Sequence, residues 1–131
     1  MRVPLAEVGR EVRDFSPGDR VVSNSLVACR TCVLCRRGDE HLCLKRQLFG
    51  MHRVGAFAEY VAVPEHCLLS CPELLTPEAA CLAEPLANGV HMVRLTADLS
   101  PRRVLVIGAG PIGLLAQQTF QTMTGAQVFV A

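Results

Sequence analysis

Four cysteines stand in the order Cys29-x2-Cys32-x2-Cys35-x7-Cys43, and their chemistry is that of a soft-metal site. Two-residue gaps let successive thiolates converge on one ion from a tight loop, and the longer gap lets the chain return to close a tetrahedron. Four sulfurs with no open position make a structural zinc site rather than a catalytic one. Four thiolates around a divalent ion leave a local charge of about −2. Arg30, Arg36, Arg37, Lys45 and Arg46 surround the loop and are placed to offset it. An iron–sulfur cluster also uses Cys-x2-Cys-x2-Cys, but its common fourth gap is about three residues and ends Cys-Pro. Here the last gap is seven residues and Leu44 follows. Buried free thiols are the bland alternative, although a loop this rich in Arg, Asp and Glu makes a poor core. Cys67, Cys71 and Cys81 are scattered and read as core or surface thiols.

A second pattern is Gly108-x-Gly110-x-x-Gly113, which follows the apolar run Val104-Leu105-Val106-Ile107 directly. In a dinucleotide-binding turn Gly108 makes the tight bend, Gly110 admits a pyrophosphate to the backbone, and Gly113 lets the helix pack on the strand. Pro111 and Ile112 open that helix, whose free amides and dipole face the phosphates. A glycine-rich turn without a ligand is the alternative. The acid that usually holds the adenosine ribose lies about 20 residues past such a turn, beyond Ala131. NAD is therefore the default cofactor, with NADP also open.

These residues need elements to position them. Val8 and Val12 should flank a short extended segment, Pro17-Gly18 should turn, and Arg20-Val21-Val22 should return as a strand. A further strand is expected over residues 56–63, with Phe57, Val61 and Val63 on one face and Pro64 ending it. From Thr76 the pattern becomes helical, with Thr76 as N-cap and Pro77 at the first helical position. Pro85 should interrupt that helix or start another running to about Thr96. Val104–Ile107 reads as a buried β-branched strand, Pro111 to Thr124 as a helix, Gly125 as its stop, and Gln127 onward as another strand.

Composition narrows the function classes. Half of the 131 residues are hydrophobic, so a buried core is expected and disorder is not. Thirteen basic against twelve acidic side chains leave a net charge of +1, without the basic excess of a nucleic-acid binder. The longest apolar stretch, near Val104 to Ala116, is broken by glycines and a proline and is too short to span a bilayer. No secretory signal opens the chain, and a cytoplasmic location is the default.

Together these elements resemble the zinc-dependent medium-chain dehydrogenase/reductase family, the alcohol and polyol dehydrogenases. The resemblance is carried by Val8-Gly9 through Pro17-Gly18-Asp19-Arg20-Val21, the four cysteines, Gly50-x-His52-Arg53, Phe57-Ala58-Glu59-Tyr60, Glu84-Pro85-Leu86-Ala87 and the glycine turn. It points to the sorbitol- and threonine-dehydrogenase-like branch, with Val54 and Ala56 in place of an expected Asp and Gly. It implies an α/β chain with a β-rich part. Residues 1–83 would be a partial GroES-like barrel with the zinc lobe at 29–43. Residues 84–131 would be a linking helix and the first portion of a Rossmann doubly wound parallel sheet.

The resemblance further implies hydride transfer between a small alcohol or polyol and a nicotinamide, aided by a second, catalytic zinc. It places the acid matching Glu84 near that zinc, directly or through water; a helix-entry acid favoured by the dipole is the alternative. The family's catalytic Cys and Gly-His-Glu motif are absent here, and His41, His52, His66 and His91 match no ligand position. The expectation is a fragment that is inactive by itself, and family members often form homo-oligomers. The competing expectation is a short zinc-stabilised binding or interaction module without catalysis.

Overall fold

The computed structural model describes residues 2–131, with side chains described from Pro4 onward. It divides into two compact units, Met1–Cys81 and Leu82–Ala131. The chain is mixed α/β with three small sheets and no closed barrel among the described residues.

In the first unit, strands β1 (Arg2–Pro4), β2 (Arg20–Ser23) and β5 (Leu68–Ser70) form an antiparallel sheet with β2 in the middle. The turn expected at Pro17-Gly18 returns the chain from β1 to β2. Gly18 has φ +92°, which a residue with a Cβ rarely adopts. Its N–H donates to the Leu5 carbonyl, and the Asp19 carboxylate accepts from Ser16 N–H. The side chain of Glu65 tethers the preceding loop, its Oε1 accepting from Arg13 and Asp14 N–H, each at 2.8 Å. The two backbone donors, Asp14 first, hold its carboxyl below the usual range. Val21, on β2, is among the most deeply buried side chains of this unit.

Two expectations in this unit fail. Residues Val8 to Val12 form a turn closed by Val12 N–H on the Gly9 carbonyl, rather than an extended segment. Residues 56–63 form no strand. Alternation of Phe57, Val61 and Val63 says which side chains would share a face, but a strand also needs a neighbour for its amides. This segment borders an open groove opposite residues Pro4–Gly9. Phe57 and Tyr60 are exposed.

A two-stranded ladder of β3 (Leu26–Val27) and β4 (Gln47–Leu48) brackets the cysteine loop. Within the loop lie the one-turn helix α1 (Val33–Arg36) and a 3-10 turn at Glu40–Leu42. Helix α2 (Pro77–Cys81) closes the unit, with the Thr76 hydroxyl accepting from Ala79 N–H as an N-cap should.

The second unit opens on helix α3 (Ala83–Leu95), which starts anew just before Pro85; proline is tolerated in a first turn, where no amide partner is lost. Strand β6 (Arg103–Val106), helix α4 (Pro111–Thr124) and strand β7 (Gln127–Val130) form a β-α-β unit with the two strands parallel. Gly125, at φ +69°, ends α4 as expected. Helices α3 and α4 pack through Gly89, Val93, Ala116, Thr119 and Phe120, all buried. A Cβ on Gly89 would lie 2.6 Å from Thr119 Oγ1, so the close approach requires glycine. The strand β6 is present but not buried as expected. Leu105 is 62% and Ile107 85% exposed, because this two-stranded sheet has no second cover among the described residues.

Candidate metal centre and dinucleotide turn

The loop between β3 and β4 brings the four predicted cysteine sulfurs to within 4.8 Å of one another. Each arrives by a local device. Cys29 leaves the end of β3, and Arg30 follows in the left-handed region at φ 58°, which reverses the chain at once. Cys32 caps α1, and the first turn of that helix carries Cys35 back toward it. Gly38, at φ +90°, then turns the chain toward the 3-10 segment that delivers Cys43. Cys35 and Cys43 are buried, whereas Cys29 and Cys32 are half-buried.

Two sulfur pairs give the scale: Cys29 and Cys35 are 3.9 Å apart, Cys32 and Cys35 3.4 Å. A tetrahedron with zinc–sulfur bonds of about 2.3 Å has edges of about 3.8 Å. The donor set and its spacing therefore fit a zinc ion, with four soft anionic ligands and no open position.

Amides are aimed at the sulfurs. Cys32 N–H donates to Cys29 Sγ at 3.4 Å, and Cys29 N–H to Cys43 Sγ at 3.3 Å. The Thr31 hydroxyl lies 3.5 Å from Cys29 Sγ. That hydroxyl, with the Thr31 and Cys32 amides, holds the Cys29 thiol down to about 5. Cys32 is also lowered, chiefly by the Cys35 amide. Burial pushes the Cys35 thiol up to about 12, with the neighbouring Cys32 sulfur adding to the rise. Near neutral pH the Cys29 sulfur is therefore anionic and the Cys35 sulfur keeps its hydrogen.

The basic residues around the loop are less devoted to the sulfurs than the sequence suggests. Arg30 pairs with Glu40 at 3.5 Å and Arg37 with Asp39 at 3.8 Å, both on the surface. Arg36 Nε donates to the Thr31 carbonyl, bracing the loop. Backbone N–H groups, which sequence patterns do not display, do more of the charge stabilisation.

Among the described residues this is the one cluster of Cys, His, Asp or Glu with metal-ligand spacing. Cys67 and Cys71 are buried outside it and Cys81 is exposed. His52 accepts the Leu48 amide through Nδ1. Glu84 lies exposed in the first turn of α3, in the second unit.

The glycine turn has the geometry its spacing implies. Gly108, at φ +106°, makes the bend after β6, and Gly110 is the N-cap of α4 with Pro111 first in the helix. A Cβ on Gly113 would fall on the Gly108 carbonyl and meet Val106 at 3.4 Å, so helix and strand can approach only with glycine there. A Cβ on Gly110 would meet nothing within 4 Å. Side-chain contacts therefore do not require glycine at that position, and the space beside it is free for a phosphate. Ile112 is exposed beside the helix start, where the early amides lack intrahelical partners. The turn fits a dinucleotide pyrophosphate.

Comparison with known proteins agrees with these features. Residues 5–73 match the alcohol dehydrogenase GroES-like domain. The chain is 37% identical over 126 residues to an L-threonine 3-dehydrogenase of Pseudoalteromonas atlantica, covering 96% of this chain and 37% of that protein. Galactitol-1-phosphate dehydrogenase from Escherichia coli superposes with a TM-score of 0.88 at 34% identity, over 98% of this chain and 37% of its own. A protein of Sinorhizobium meliloti 1021 described as a zinc-binding dehydrogenase, solved bound to NADP, gives 0.88 at 35% identity, over 98% of this chain and 38% of its own. The chain thus spans little more than a third of the length of these relatives. On the matched domain and on these likenesses, it belongs to the zinc-dependent medium-chain alcohol dehydrogenase family.

Proposed function

We propose that this chain is part of a cytoplasmic oxidoreductase that transfers a hydride between an alcohol of polyol or sugar-acid type and NAD or NADP. In this reading residues 1–83 are a partial GroES-like domain, and residues 84–131 are the linking helix and first β-α-β portion of a Rossmann domain. Cys29, Cys32, Cys35 and Cys43 hold one structural zinc, whose chemistry is to cross-link a loop with little core of its own. Gly108, Gly110, Pro111, Ile112 and Gly113 shape the seat of the pyrophosphate, Gly110 by leaving room and Gly113 by letting α4 sit close to β6. Glu84 is the acid that approaches the catalytic zinc of the whole protein. The observation that carries the reading is the convergence of four sulfurs within 4.8 Å, in a chain whose matched domain is that of alcohol dehydrogenases.

The 131-residue chain alone holds one metal-ligand cluster among its described residues, and that cluster has no open position. Metal analysis of the purified chain should give one zinc, lost on Cys32→Ser with Cys35→Ser. The same chain should not reduce NAD with sorbitol, threonine or butanediol. Two tightly held zinc ions, or measurable reduction, would overturn the proposed division of labour.

A further inference from the structure

Two of the four cysteines are placed to react with each other as well as to hold a metal. Cys32 and Cys35 lie with their sulfurs 3.4 Å apart, against 3.9 Å for Cys29 and Cys35. They sit on one rigid piece, Cys32 capping the helix that contains Cys35. Cys32 is half-buried and open to small molecules, while Cys43 has no exposed surface. A disulfide needs its sulfurs at about 2.05 Å, so a closure of little more than an ångström joins this pair. The apolar cluster at the lobe is small: Ala28, Cys35 and Cys43, with Leu26, Cys29 and Cys32 packed against them. Four of these six residues are the proposed ligands, so little besides the ion would hold the lobe together.

We propose that Cys32 and Cys35 form a peroxide-responsive pair that ejects the zinc and loosens the lobe, an inference that rests on the zinc site proposed above. Hydrogen peroxide oxidises the accessible Cys32 sulfur to a sulfenic acid, releasing one oxygen of the peroxide as water. The Cys35 sulfur then attacks Cys32 Sγ. The sulfur–sulfur bond forms, the sulfur–oxygen bond breaks, and the second oxygen leaves as water. In sum two zinc-bound thiolates lose two electrons, and one peroxide gains them and, with two protons from solvent, becomes two waters. Cys29 and Cys43 cannot hold zinc tightly as a pair, and the ion departs. A thiol reductant and fresh zinc restore the site.

The test uses the zinc-loaded chain carrying Cys81→Ser, which removes an exposed thiol that would link chains to one another. Peroxide is added with a chromogenic zinc chelator and a trace of glutathione, followed by alkylation and peptide mapping. The expected result is release of the one zinc in step with a Cys32–Cys35 disulfide, reversed by reductant. Zinc retained while the glutathione is consumed would overturn the proposal. So would zinc lost with a disulfide between other cysteines, or with sulfinic acids and no disulfide. A chain that holds no zinc before peroxide is added would sink the metal site itself, a separate failure.

Discussion

A proton on Cys35 is the most informative single atom in the lobe. Burial and the adjacent Cys32 sulfur hold that thiol up to about 12, whereas the Thr31 hydroxyl and nearby amides hold Cys29 down to about 5. Zinc binds thiolate, so uptake near neutral pH must expel the Cys35 proton and need expel none from Cys29. Affinity should therefore rise with pH by about tenfold per unit for each proton released. Below about 5, Cys29 protonates as well and the fall becomes steeper. Calorimetry in two buffers of different ionisation enthalpy measures this; a binding heat independent of buffer would refute it. At the glycine turn, Gly113→Ala should destabilise the second unit by about 1–3 kcal/mol through overpacking against the Gly108 carbonyl. Gly110→Ala should stay within about 0.5 kcal/mol of the parent, since its Cβ meets nothing. Denaturant melts of the two variants distinguish fold glycine from ligand glycine; equal losses would contradict the assignment.

Among the elements, the crossing of α3 and α4 also turns on a single atom. Ala in place of Gly89 gains about 0.5–1 kcal/mol of helix propensity, yet its Cβ meets Thr119 Oγ1, which is buried and donates to the Leu115 carbonyl at 2.7 Å. The clash should win by roughly 1 kcal/mol. Adding Thr119→Ala should recover part of the loss, a positive coupling that denaturant melts of the single and double variants would read. The turn at Pro17-Gly18, the N-cap at Thr76, the restart at Pro85 and the stop at Gly125 were all legible, because each rests on backbone chemistry local to a few residues. The failures have the opposite character. A strand over residues 56–63 and burial of Leu105 and Ile107 both depend on distant partners, and alternation or β-branching carries no information about whether those partners lie nearby. The two-stranded ladder of β3 and β4 also went unseen: strands of two residues are too short for any period to show.

For the whole molecule, the convergence of the four cysteines was readable from spacing alone, since cysteines so close along the chain need few bends to meet. What the spacing hid was the backbone at Arg30, the amides aimed at sulfur and the pairing of Arg30 and Arg37 with nearby acids. The approach of Glu84 to a second metal is proposed on family likeness alone; the structure places this acid in the first turn of α3. None of the 130 described residues sits in a helix long and apolar enough to cross a membrane. X-ray absorption at the zinc edge of the purified chain tests the central claim most directly. Four sulfurs at about 2.3 Å and no lighter donor are predicted. Nitrogen or oxygen in that shell, or folded protein that carries no metal, would contradict it.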